Sequence, residues 1–198
     1  MSRCLKIVVA VAMLSMLAAA CSSQGDWRLK NITGLMPPLQ FTLTNDDGKV
    51  VNADAYRGKV VLLYFGYTHC PDICPATLQS LAAAIHSLGS RAQQVRVLFV
   101  TVDPARDSVA VMHDYTGAFG PEFVGLRGDQ DQLHLLTKRY RVTYGLGKPD
   151  ADGNYEVSHS SAVFVFDEQG KVRLLAQRTD SPKALAHDLR RLIDESPA

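Results

Sequence analysis

Two cysteines four residues apart, Cys70 and Cys74, lie in the run Tyr64-Phe65-Gly66-Tyr67-Thr68-His69-Cys70-Pro71-Asp72-Ile73-Cys74-Pro75. A favourable loop at that separation lets both sulfurs converge on one ion or join as a disulfide. A close thiol pair can cycle between disulfide and dithiol. As thiolates the same pair is a soft ligand set that favours Cu(I) or Zn(II) over hard cations. A plain structural disulfide is the bland alternative, but so short a loop constrains little chain entropy when bridged. The pair follows an apolar run with strand character and precedes a helical pattern, the edge at which open α/β sheets place their sites. With Pro75 as the first helical residue, Cys74 falls at the N-cap, where free N–H groups and the helix dipole favour a thiolate.

Histidine bears on the choice between redox and metal chemistry. Of six histidines, His86, His113, His134 and His187 fall within predicted helices and read as surface or satisfied core residues. His69 adjoins Cys70 and is placed beside a candidate site rather than in its ligand set. His159 stands in Tyr155-Glu156-Val157-Ser158-His159-Ser160-Ser161, just before a predicted core strand and on no amphipathic pattern that would explain it as packing. Taken alone it is a candidate ligand and no more.

The elements that must position these residues alternate between strand and helix. Leu39–Thr44 alternates apolar and polar residues, Asn45-Asp46-Asp47-Gly48 is turn chemistry, and Lys49–Asn52 returns as a hairpin partner. Lys59–Tyr67 and Arg96–Val102 are continuous apolar runs, as expected of strands buried on both faces. Leu78, Leu81, Ile85 and Leu88 mark a helix over Ala76–Leu88. Asp107–Phe119 and Asp131–Tyr140 read as further helices around a short strand at Phe123–Leu126. Ser161–Asp167 and Lys171–Ala176 form a hairpin across Glu168-Gln169-Gly170, and Ser181 caps a last helix from Pro182 to Glu195. The pattern predicts a single α/β domain with a mixed central sheet flanked by helices and an N-terminal β-hairpin extension.

The remaining feature is an address. Met1–Lys6 carries Arg3 and Lys6 without an acid, Ile7–Leu17 is apolar apart from Ser15, and Ala18-Ala19-Ala20 precedes Cys21. A basic start, a short apolar run and small residues describe an export signal over residues 1–20, too short for a comfortable membrane span. The ending resembles a bacterial lipoprotein signal with Cys21 as the lipidated residue, although Leu17 sits one step earlier than that pattern has its leucine. Ordinary secretion and an uncleaved anchor stay open beside it. Residues 21–36 then read as a tether and 37–196 as the domain. The 198 residues carry a formal charge of +1, which falls to about −1 once Arg3 and Lys6 leave with the signal. Neither value supports bulk affinity for nucleic acid.

With these residues in place, the chain is similar to the Sco/SenC family, thioredoxin-like copper proteins involved in assembling cytochrome c oxidase. The likeness is carried by YFGYTHCPDICP, by Phe41-Thr42-Leu43 with Asp46-Asp47-Gly48-Lys49, and by Arg57-Gly58-Lys59. Val102-Asp103-Pro104-Ala105-Arg106-Asp107 and His159-Ser160 before Phe164-Val165-Phe166-Asp167 complete it. The resemblance implies a thioredoxin-like fold holding one copper ion, Cu(I) or Cu(II), through Cys70, Cys74 and His159, with Cys70 and Cys74 also able to form a redox-active disulfide. Near that ion it implies His69, Asp72 and Asp103. For Asp103 a polar cap shared with Arg106 and Asp107 at the next helix is the competing reading. Ser158 stands where the family often has an acid.

Taken with the lipoprotein-like signal at Cys21, the resemblance further implies a lipid-anchored metallochaperone facing the periplasm of a bacterial envelope. It would deliver copper to the binuclear copper site of an oxidase subunit and reduce that subunit's cysteines as an accessory activity. A copper-loading chaperone and a thioredoxin-like reductant are the further partners implied. A thiol–disulfide oxidoreductase or redox sensor without delivery is the alternative. A peroxidase of the same superfamily is disfavoured, because Tyr67 and Pro71 stand where its sites carry Thr or Ser three residues before the cysteine.

Overall fold

The computed structural model describes residues 26–150 and 155–195. In chain order the strands are β1 (Lys30–Asn31), β2 (Thr42–Asn45), β3 (Val50–Asn52), β4 (Val60–Gly66), β5 (Val95–Thr101), β6 (Phe123–Arg127), β7 (Tyr144–Leu146), β8 (Val157–His159), β9 (Val163–Phe166) and β10 (Val172–Ala176). The helices are α1 (Ile73–His86), α2 (Val109–Gly117), α3 (Gln130–Arg139) and α4 (Pro182–Asp194), with 3-10 turns at Ala53–Tyr56 and Gly89–Gln94.

Every residue of β4 is buried, and β5 is buried apart from half-buried Arg96. That is what their unbroken apolar runs require of strands covered on both faces. β4 pairs in parallel with β5 and β5 with β6, with α1 and α2 as the crossovers. A parallel pair cannot be joined by a tight turn, so each helix is a topological necessity. β9 joins the other side of β4 antiparallel, and the complete order is β1-β10-β9-β4-β5-β6-β2-β3. The sheet is mixed and flanked by helices, and the β2–β3 hairpin adds to its β6 edge, as the sequence predicts.

Local chemistry sets the helix ends. Ser108 accepts from the Val111 N–H, Ser181 accepts from the Ala184 N–H with Pro182 in the first turn, and Asp129 and Gln132 close a capping box on α3. α1 differs from expectation. It begins at Ile73 after Asp72, so Pro75 is the third helical residue and Cys74 lies inside the first turn, not at the N-cap. Proline is tolerated there because first-turn N–H groups have no intrahelical acceptor to lose.

Two further differences concern parts the periodicity does not show. Within the stretch expected to be a tether, the residues from Trp27 to Ile32 are docked. Leu29 and Ile32 are buried, Lys30–Asn31 pairs with Leu174–Leu175 of β10, and the buried Asp188 carboxylate accepts from the N–H groups of Arg28 and Leu29. β7 and β8 form a separate antiparallel ribbon, Tyr144 opposite His159, in a stretch where the sequence pattern assigns no element. Three-residue strands are too short to leave a periodic signal. The expected signal peptide, with Cys4, and the Cys21 lipidation position lie outside the described residues. Among the described residues, no helix is long and apolar enough to cross a membrane.

Candidate metal centre

The loop from Tyr67 to Asp72 leaves the C-terminal end of β4 and turns at once, the Cys70 N–H donating to the Tyr67 carbonyl at 3.3 Å. Its shape is held from below by Asp107, which is fully buried. That carboxylate accepts from the Thr68 N–H at 3.1 Å, from the Thr68 hydroxyl at 2.6 Å and from the Thr101 hydroxyl. Gly66, the last residue of β4, supplies the room. A Cβ there would lie 2.8 Å from the Cys74 Sγ and 2.6 Å from the Phe99 ring, closer than packed atoms sit.

Cys70, Cys74 and His159 each offer one donor atom, and the three atoms lie within 4.8 Å of one another. The Cys74 Sγ is buried and stands 3.2 Å from His159 Nε2, while the Tyr64 hydroxyl approaches it from the core at 3.6 Å. His159 Nδ1 sits 2.9 Å from the Ser160 carbonyl. A carbonyl only accepts, so the ring proton belongs on Nδ1 and the Nε2 lone pair faces the sulfurs. Tyr67 and Tyr64 pack edge-on to the imidazole at 5.7 and 6.1 Å between ring centres. The ring is thus oriented before any ligand arrives, as metal-binding histidines generally are.

The two thiols differ in acidity, and in the opposite sense to the sequence expectation. Burial pushes Cys74 up to about 12, although Tyr67 and Tyr64 hydrogen bonds oppose it. For Cys70, partial burial works against ionisation but is outweighed by the N–H groups of Cys74, Asp72 and Ile73, which hold its thiol below the ordinary value. The Cys74 N–H reaches the Cys70 Sγ at 3.4 Å. The start of α1 therefore stabilises the thiolate just outside it, at Cys70, and not the sulfur in its own first turn. Both cysteines are free thiols.

The other candidates stand outside the triad. His69 is half-exposed and turned to the Thr68 hydroxyl at 3.0 Å and Asp107 at 3.5 Å. Asp72 precedes α1 without a side-chain cap bond and is exposed. Asp103 is fully buried, but it does not cap α2, a task that Ser108 performs. Its carboxylate takes the Arg106 Nε–H and the Tyr155 hydroxyl, the latter at 2.6 Å. Sequence reasoning passed over Tyr155, and with it Tyr64 and Tyr67. Only the folded arrangement brings Tyr64 and Tyr67 to the histidine and Tyr155 to Asp103.

Beside the triad opens a cleft of about 1040 Å³ whose wall includes Tyr67, Cys70, Ile73, Arg106, Leu146 and His159. Cys70 and His159 face this open space with the Cys74 sulfur buried beside them, which makes a soft, low-coordinate site approachable from the cleft. That donor set suits Cu(I), and accepts Cu(II) with added ligands.

A family model described as SCO1/SenC matches residues 37–194. The mitochondrial SCO2 homologue of Bos taurus is 39% identical over 153 residues, which is 76% of this chain and 58% of the bovine protein. The chain therefore spans little more than half of that relative's length. An SCO2-like protein of Rickettsia felis is 34% identical over 151 residues, 76% of this chain and 74% of that one. Among solved structures, Bradyrhizobium japonicum ScoI with copper bound superposes with a TM-score of 0.72 at 34% identity, over 78% of this chain and 98% of that one. Yeast Sco1 with copper bound gives 0.72 at 31% identity, over 81% and 91%. A family match across nearly the whole described domain, the same fold, and a Cys–Cys–His group at the end of its central strand lead to one statement: the chain belongs to the SCO1/SenC family.

Proposed function

We propose that this chain is a copper metallochaperone that binds one ion through Cys70, Cys74 and His159 and passes it to the binuclear copper site of cytochrome c oxidase during assembly. The observation that carries the reading is the convergence of three soft or borderline donors within 4.8 Å, two of them, Cys70 and His159, lining an open cleft. The copper-bound structures of its relatives support the choice of metal. Cys70, held below the ordinary thiol value by neighbouring N–H groups, is the sulfur more readily ionised, Cys74 ionises when the metal displaces its proton, and His159 presents Nε2. The cleft leaves one direction from which an incoming ligand of the recipient can replace these donors one at a time. Oxidation of the two thiols to a disulfide, with loss of two electrons and two protons to an oxidant, removes both thiolates and so gates loading.

The export signal and Cys21 place the domain, in this proposal, on the outer side of a bacterial membrane, tethered by lipid and facing the periplasm. A loading chaperone and a thioredoxin-like reductant complete its partners. The unequal acidity of the thiols favours one second reading, a thiol–disulfide reductase in which Cys70 attacks and Cys74 resolves.

An anaerobic Cu(I) titration separates the two. Tight 1:1 binding by wild type, weakened at least about tenfold in His159→Ala and in Cys74→Ser as expected when one of three ligands is lost, supports the chaperone. If His159→Ala binds copper as wild type does and exchanges disulfides at full rate, the reductase reading takes its place.

A further inference from the structure

His159 does not sit on the main sheet. It closes β8, and among the described residues β8 pairs only with β7, in a ladder of three residues a side. Two-stranded ribbons of that size are marginal by themselves, so side chains reaching from the body must hold this one. Three do so at its β8 end. The Tyr155 hydroxyl, two residues before β8, donates to the buried Asp103 carboxylate at 2.6 Å. The Arg106 guanidinium, ion-paired to the other Asp103 oxygen, lies 3.7 Å from the Tyr155 ring centre and 5.8 Å from that of Tyr67. The Tyr67 hydroxyl in turn accepts from the Val157 N–H.

We propose that Asp103, Arg106 and Tyr155 are positioning residues: they clasp the β7–β8 ribbon to the body and set how long His159 stays beside Cys74. The proposal rests on the copper reading above for its consequence, release of the ion, but not for the clasp itself. Asp103 is fixed on the loop after β5, where its carbonyl accepts from the Arg106 and Asp107 N–H groups, so the carboxylate is an immobile anchor. Tyr155 is on the moving side. Among the described residues, Arg106 Nη2 is buried without a hydrogen-bond partner, so the contacts within the clasp do not satisfy it fully. Opening it therefore gives back some solvation in exchange for the bonds it breaks. Swinging the ribbon away would carry His159 with it and leave a two-thiolate site from which a recipient can take the ion more easily.

The test uses the whole chain, first reduced and metal-free, then loaded with Cu(I). In the metal-free protein, Tyr155→Phe is expected to raise hydrogen exchange at the Val157 and His159 amides about tenfold, the scale of one lost charge-assisted hydrogen bond. Exchange within β4 and β5 should not change. In the loaded protein, the same substitution should speed transfer of Cu(I) to a competing chelator about tenfold. Arg106→Lys keeps a charge for Asp103 but loses the flat face that stacks on the ring, and should fall between.

Added to His159→Ala, Tyr155→Phe should accelerate release no further, because the clasp acts through that imidazole. Wild-type exchange at 157–159 in Tyr155→Phe overturns the proposal, as does equal acceleration in the His159→Ala background. A wild-type chain that fails to bind Cu(I) overturns the copper reading, while the metal-free exchange still decides the clasp.

Discussion

At the scale of single residues, the two thiols are chemically unlike although they stand four positions apart. Cys74 lies in the core beside Tyr64, and burial raises its thiol to about 12. Cys70 is half-buried at the start of α1, with three N–H groups favouring its thiolate. Alkylation reads that difference directly, since the thiolate is the reactive form. The metal-free, reduced protein should label first at Cys70, with a rate that levels off below the ordinary thiol range. Cys74 should label at least about tenfold more slowly at neutral pH, its rate still climbing well into the alkaline range. Peptide mapping after iodoacetamide pulses across pH measures both. Equal rates, or Cys74 reacting first, would remove the basis for assigning attack and resolution to separate sulfurs.

At the scale of elements, the site depends on how closely β4 approaches α1. Gly66 ends the strand against the Cys74 sulfur and the Phe99 ring, and a methyl group there has no free volume to enter. Overpacking of this kind costs about 1–3 kcal/mol. Gly66→Ala should lower the midpoint of denaturant unfolding accordingly. It should also weaken Cu(I) binding, because the atom it displaces is one of the donors. An alanine variant with wild-type stability and affinity would mean that the strand and helix can separate without cost. The contrast with Gly58, where a Cβ meets nothing within 4 Å, shows that packing and not turn geometry makes Gly66 necessary.

For the molecule as a whole, the segment just before the family domain is part of its stability. Trp27, the single tryptophan, lies 4.6 Å from the Arg191 guanidinium and 5.5 Å from that of Arg173. Asp188 on α4 takes the Arg28 and Leu29 N–H groups. Removing that buried carboxylate leaves two backbone donors short of an acceptor, a loss of about 2–4 kcal/mol. Asp188→Ala should reduce stability by that amount and shift Trp27 emission to the red as the N-terminal strand detaches. Unchanged emission would show that β1 holds through Leu29 and Ile32 alone. The docking also fixes the path of residues 27–32, beside α4 and β10.

Much of this protein is legible in one dimension. The buried strands β4 and β5 declare themselves because a strand covered on both faces needs an unbroken apolar run. The amphipathic helices declare themselves through their spacing, and Cys70 with Cys74 through a separation that only a local loop has to satisfy. His159 is 85 positions beyond Cys74 in the chain, and no local rule links them. Its place as third donor came from family likeness, and its orientation from the Ser160 carbonyl and two tyrosine rings. The ribbon that carries it, the Asp103–Arg106–Tyr155 clasp, the docking of β1 on Asp188 and the inverted acidity of the cysteines are properties of tertiary contact. Propensity and periodicity report what a residue prefers among its neighbours in sequence. Burial, hydrogen-bond partners and therefore pKa are set by neighbours in space, and those exist only once the chain has folded.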